Sequence, residues 1–148
     1  MEVITKSPTQ TQKLGEKMGR DLALDRLSSR AFKPRFRPRT LCLYGDLGSG
    51  KTTFIQGLAK GLGIKKRVIS PTFVFMKQYG SHFYHVDLYR INKVGEAKGL
   101  GLEEIFNEPK AIIAIEWAEK IKKILPKKKE DIYFDYVSEN QRKITFKK

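Results

Sequence analysis

One run, LYGDLGSGKTTF at residues 43–54, restricts the possible folds of this chain more than any other feature. Residues 45–52 fit the spacing G-x-x-x-x-G-K-[ST]. The apolar stretch TLCLYG precedes it, and GKTTFIQGLAKGLG follows with Phe54, Ile55, Leu58 and Leu62 at helical intervals. A buried strand, a glycine turn and a helix are therefore expected in immediate succession. Glycines let successive backbone N–H groups point inward as an anion nest, and the helix adds its partial positive N-terminus. The lysine supplies a mobile point charge and the following hydroxyl a magnesium ligand. The loop is built to hold the phosphates of a nucleoside triphosphate.

The rest of the chain must complete a sheet around that strand. Residues 10–27 carry Leu14, Met18, Leu22 and Leu27 at helical spacing, with Thr9 or Thr11 as candidate caps. SSRAFKPRFRPR, residues 28–39, holds two prolines, five basic residues and no acid, and reads as a loop. Gly63 is placed to end the second helix in a left-handed cap. TFVFMKQY and HFYHVDLY, joined by Gly80 and Ser81, predict an antiparallel hairpin. KVGEAKGLGLEEIF is helical but broken by glycines, KAIIAIEW is a second wholly apolar strand, and AEKIKKIL is a short helix. DIYFDYV and RKITF close the chain as strands. The expected class is α/β: a three-layer sandwich of the phosphate-loop NTPase kind, one domain over 1–148, whose mixed sheet includes antiparallel strands.

Composition narrows the setting. No run of 18 apolar residues exists, so no membrane span is expected. The N-terminus lacks a secretory h-region, and the single cysteine, Cys42, suits a reducing cytoplasm and a buried strand position. A formal charge of +14 favours anionic partners, among them RNA and acidic protein faces. The basic stretch, with Arg30, Lys33, Arg35, Arg37 and Arg39, is either a solvated loop or a contact for such a partner.

Hydrolysis requires a carboxylate near the phosphates, and two apolar strands each end in one, Asp87 and Glu116. An acid at the end of a buried strand is costly unless paired or metal-bound, which makes both candidates for magnesium or water positioning. His85 shares a strand face with Asp87 and reads as a hydrogen-bonded strand histidine before a metal ligand. Ser70-Pro71-Thr72 is either an ordinary turn or a segment that senses the γ-phosphate. The guanine-reading N-K-x-D is missing, since Asn92-Lys93-Val94-Gly95 lacks the aspartate, so ATP is the expected nucleotide.

GDLGSGKTTF, SPTF, HVDLYR, GLEEIF and IEW, in this order, closely resemble the bacterial TsaE (YjeE) family of tRNA threonylcarbamoyladenosine biosynthesis, over about residues 10–146. The resemblance implies a small magnesium-dependent ATPase acting with TsaB-like and TsaD-like partners on tRNAs that read codons beginning with A. It places Leu47, Gly48, Ser49, Gly50, Lys51, Thr52 and Thr53 on the phosphates, with Lys51 catalytic. Thr52 and Glu116 would hold magnesium, and Asp87 would be a second essential acid near the γ-phosphate. Ser70 and Thr72 would belong to a switch, and Trp117 would border the nucleotide. Ser49 replaces the family's more usual alanine, the basic stretch is longer than usual, and Asn140 and Arg142 of ENQRK stand where the family often has glycine and arginine. Two other classes fit the residues themselves. One is a small kinase, for which Arg90 is the only arginine close after a catalytic-looking acid. The other is a nucleic-acid-binding module with a structural ATP.

Overall fold

The structure, a computed structural model, describes residues 1–32, 39–70 and 75–147, the side chains of residues 26–32 excepted. Strand β1 (Glu2–Thr5) leads into helix α1 (Pro8–Phe32), then β2 (Arg39–Tyr44) and α2 (Lys51–Gly61). The hairpin β3 (Met76–Tyr79) and β4 (Phe83–Asp87) follows, then α3 (Val94–Lys98), α4 (Leu102–Phe106) and β5 (Ile112–Glu116). A 3₁₀ segment (Ala118–Ile124), β6 (Glu130–Tyr136) and β7 (Arg142–Lys147) complete the chain.

The strands form one sheet in the order β1-β7-β6-β2-β5-β4-β3. The inner four, β6, β2, β5 and β4, run parallel, while β3, β7 and β1 join antiparallel at the two sides. Alternating side chains feed two cores. Leu41, Leu43, Ile112 and Ala114 pack under α1 and α2, and Cys42, Ile113 and Ile115 pack under α3, α4 and the 3₁₀ segment. Both faces of the parallel strands are covered, which explains their continuous apolar sequence. Burial pushes the Cys42 thiol up to about 12, with the Asp131 carboxylate adding to the effect, so it stays a neutral core group.

Two boundaries differ from the sequence expectation. Helix α1 starts at Pro8, and its cap is Ser7, whose Oγ accepts from Gln10 N at 3.1 Å, rather than Thr9 or Thr11. Gln10 Oε1 accepts from Lys6 N at 2.8 Å, and Pro8 occupies the first helical position, where its missing N–H costs nothing. The helix also runs on to Phe32, so residues 28–32 of the expected loop are helical. Residues 33–38 lie outside the described residues. Arg39 opens β2 and pairs with Asp25 at 3.0 Å. Helix α2 ends as expected: Gly63 has φ +84°, Gly63 N donates to Lys60 O and Ile64 N to Ala59 O, the paired bonds of a Schellman cap.

The most buried line of α1 runs beside the apolar one and shares Leu22 with it. Thr11, Gly15, Gly19 and Leu22 are buried, while Leu14 and Met18 are half-buried at its flank. Gly15 and Gly19 meet α2 at Phe54 and Leu58, and Gly57 and Gly61 of α2 meet α1 at Gln12 and Glu16. A Cβ on any of the four would stand 1.9–2.2 Å from a backbone oxygen of the other helix. Backbone touches backbone, which sets the two axes closer than side-chain packing permits.

Gly57→Ala forces the helices apart, because the new Cβ meets the carbonyl oxygen of Gln12 at 1.9 Å. We expect a loss of about 2–3 kcal/mol, or about 5–10 °C in Tm. Gly95→Ala, with nothing within 4 Å, is the control and should be neutral or slightly stabilising. Thermal unfolding of the two variants checks the pair.

Candidate functional site

The parallel register brings the sequence's separated acids together. Leu43 of β2 pairs with Glu116 of β5, which in turn pairs with Asp87 of β4. The glycine loop leaves β2 at this level and enters α2, so both carboxylates stand at the carboxyl ends of the strands beside it. A cavity of about 400 Å³ opens there, within the range of ligand-binding clefts.

The loop itself is held by its own helix, by α1 and by β7. Gly48 (φ +76°) and Gly50 (φ +99°) occupy left-handed conformations that bulkier residues resist, and the Phe54 N–H closes the first helical turn on Gly50 O at 3.0 Å. Thr11 of α1 lies beside Gly50, and its Oγ1 shares a buried 2.7 Å hydrogen bond with Thr5 of β1. Arg142 of β7 donates Nη2 to Gly48 O at 3.0 Å. Its Nη1 donates to Ser138 O and Gln141 O at 2.8 and 2.9 Å, and its guanidinium lies 4.6 Å from the Tyr136 ring centroid. Arg142 thus ties the β6–β7 turn to the loop.

Lys51 is buried at the root of α2. Its Nζ donates to Gly45 O at 2.5 Å, Asp46 O at 3.0 Å and Ser49 Oγ at 3.4 Å, and lies 4.5 Å from the Trp117 ring centroid. Burial lowers this ammonium from the ordinary lysine value, while the carboxylates of Glu116, Glu119, Asp87 and Asp46 pull it back up. Carbonyl dipoles and an aromatic face hold it in place, with no contact ion pair among the described residues. Trp117 accepts φ +60°, ψ +40°, the only left-handed non-glycine among the described residues. That conformation is an outlier for a bulky residue. It turns the chain sharply after β5 and lays the indole over Lys51, with the Tyr89 ring 5.2 Å from it.

The two acids have different neighbours. Glu116 is buried, accepts from Thr52 Oγ1 through Oε1 at 2.9 Å, and meets His85 Nε2 through Oε2 at 2.7 Å. Asp87 is half-buried, accepts from Ser70 Oγ through Oδ2 at 2.5 Å and from Tyr89 N through Oδ1 at 3.0 Å. Thr52, with Glu116, is the residue pair suited to a hard cation, since Mg²⁺ takes oxygen donors and keeps several waters or phosphate oxygens of its own. Asp87 fastens Ser70 and the Tyr89 amide. Leu47, Thr53, Trp117 and Arg142 also line the cavity, as do Gly48, Ser49 and Gly50, whereas Thr72 lies outside the described residues. The sequence reading missed Pro8, Thr11, Phe75, Tyr89 and Glu139 as walls. The capping pattern Ser7-x-x-Gln10 was the available signal for the first two, because it marks where α1 begins.

Strand, glycine loop and helix, with two strand-end carboxylates and a buried lysine at the loop's root, define an α/β protein of the phosphate-loop class. The family described as "Threonylcarbamoyl adenosine biosynthesis protein TsaE" matches residues 5–144. The Bacillus subtilis protein named "tRNA threonylcarbamoyladenosine biosynthesis protein TsaE" is 42% identical over 109 residues, which cover 72% of this chain and 67% of that one. The Aquifex aeolicus protein of the same name is 32% identical over 150 residues, 97% of this chain and 92% of its own. Alignment with the Haemophilus influenzae protein of that name spans only 61% of its length, at 40% identity. The crystal structure titled Bacillus subtilis YdiB superposes with a TM-score of 0.67 at 31% identity, covering 99% of this chain and 83% of that one. The chain belongs to the TsaE family.

The Ser70–Asp87 contact joins a neutral hydroxyl to a carboxylate in a partly buried place. Ser70→Ala should cost about 1–2 kcal/mol, and a cycle with Asp87→Asn should return a coupling energy of about 1 kcal/mol. Urea unfolding of the four proteins measures it, and additive losses would show that the hydrogen bond contributes nothing.

Proposed function

We propose that this chain binds ATP with magnesium in the cavity and hydrolyses it as the ATPase subunit of tRNA threonylcarbamoyladenosine modification. In this reading it works in the cytoplasm with TsaB-like and TsaD-like proteins. The observation that carries the proposal is the Thr52–Glu116 contact, a hydroxyl and a buried carboxylate 2.9 Å apart at the first turn of the phosphate-loop helix. Two hard oxygen donors beside an anion nest fit a cation that takes its remaining ligands from phosphate and water. Among the described residues no helix is long and apolar enough to cross a membrane, and the +14 charge suits an assembly that handles RNA. The names of the Bacillus and Aquifex relatives support the pathway.

The chain's own residues divide the work. Backbone N–H groups from Leu47 to Thr53 and the α2 N-terminus would cradle the phosphates, and Lys51 would exchange its carbonyl acceptors for phosphate oxygens. Bound magnesium would neutralise charge developing on those oxygens. Thr52 and Glu116 would hold it. Asp87 would act on the Ser70 to Thr72 segment and, through water, on the same region. Arg142 would fix the loop's outer lip, and Trp117 would wall the site next to Lys51.

Lys51→Ala should reduce ATP hydrolysis at least about 100-fold, since it removes a charge aimed at the transferring group, while thermal unfolding stays cooperative. Glu116→Ala should raise the magnesium concentration needed for half-maximal activity, and Asp87→Ala should lower kcat with little change in nucleotide affinity. Magnesium and nucleotide titrations of both variants test the division. Normal hydrolysis by Lys51→Ala would overturn the assignment, and transfer of the γ-phosphoryl group to an acceptor other than water would make the protein a kinase.

A further inference from the structure

We propose that His85 is the positioning residue for Glu116: its imidazole donates from Nε2 to Glu116 Oε2 and so fixes which carboxylate oxygen faces Thr52. The inference rests on the magnesium-ATP reading of this site and adds a residue to it.

His85 lies in the middle of β4, wholly buried, opposite Ala114 of β5. Its Nε2 stands 2.7 Å from Glu116 Oε2, and its Nδ1 is buried with no hydrogen-bond partner among the described residues. These facts fit one tautomer. With the proton on Nε2, the ring donates to the carboxylate, and Nδ1 presents only a lone pair to the core. A proton on Nδ1 would strand a buried donor and set a lone pair against the carboxylate.

The consequence falls on Glu116. Its side chain has two oxygens and one useful direction. Oε2 is occupied by His85, so Oε1 is the oxygen left toward Thr52 Oγ1 at 2.9 Å. An ion-ligating carboxylate that is itself hydrogen-bonded has less orientational freedom to lose when the ion arrives. The cost of burying an ionised acid is also offset by that donor. A histidine merely filling space could carry any apolar group of its volume. This one spends its only donor on the carboxylate that the site depends on.

The experiment separates donor from volume. Gln and Met are nearly isosteric, but only Gln has a terminal N–H donor able to reach the Nε2 position. Binding of a non-hydrolysable ATP analogue to the full-length chain is measured by calorimetry, over a magnesium series and in EDTA. His85→Met should raise the magnesium concentration for half-maximal binding about tenfold or more, and leave binding in EDTA within about twofold of the parent. His85→Gln should restore most of the magnesium response. In a Glu116→Gln background, His85→Met should produce no further shift. If His85→Met fails to fold, His85→Asn, whose amide is too short to reach Oε2, takes its place with the same expected shift. A Met or Asn variant with the parent's magnesium dependence overturns the proposal, as does equal impairment by Gln and Met. A parent whose analogue binding ignores magnesium would instead defeat the underlying magnesium reading, which keeps the two failures distinct.

Discussion

The contact on which the rest depends is the one between α1 and α2, where four glycines let two backbones touch. Each glycine inside a helix sacrifices about 1 kcal/mol of propensity relative to alanine. The close approach offsets that loss by fixing α2 in depth and rotation against the sheet. The phosphate loop is anchored on α2, and Thr11 near the start of α1 packs on Gly50. Pushing the helices apart would move the root of the loop and one wall of the cavity together. Stability and site geometry are therefore the same variable at this interface.

The strand-to-loop half of the site was legible because its chemistry and its local structure coincide. LYGDLGSGKTTF specifies a strand, a nest and a helix from adjacent residues. The two strand-end acids were legible for a different reason. An ionisable residue closing an apolar run has to find a partner, and parallel register puts the ends of neighbouring strands side by side. The structure supplies what spacing alone left undetermined: Glu116 takes Thr52 and His85, and Asp87 takes Ser70 and the Tyr89 amide. Register decides which residues meet, and no single strand contains that information.

Other parts were misread for physical reasons that can be named. The periodicity of Leu14, Met18 and Leu22 located α1 and a face that packs on the core, but not the glycine line beside it, because glycine contributes nothing to a hydrophobic pattern while permitting close packing. The pairs Gly15-x-x-x-Gly19 and Gly57-x-x-x-Gly61 were the unread signal. Strand β1 was missed since EVIT is four residues long at a terminus, and it is held by pairing with β7 rather than by its own pattern. The walls contributed by α1 and by the β6–β7 turn come from opposite ends of the chain, and only the assembled sheet brings Thr11 and Arg142 together beside Gly50.

Four charged groups near the loop, Lys51, Arg142, Glu116 and Asp87, are hydrogen-bonded to dipolar partners. Lys51 faces carbonyls and an indole, Arg142 faces carbonyls and a phenol ring, Glu116 faces a hydroxyl and an imidazole, and Asp87 faces a hydroxyl and an amide. A tight Lys51–Glu116 ion pair would satisfy both groups by itself and would have to be broken for either to bind a ligand. Dipoles are weaker partners and leave each charge available. In a low-dielectric cleft those uncommitted charges act strongly on an anion and a cation arriving together, because the attraction between opposite charges there exceeds its value in water several-fold. In the proposed reading the ligand carries both signs, as a polyphosphate with its divalent metal does.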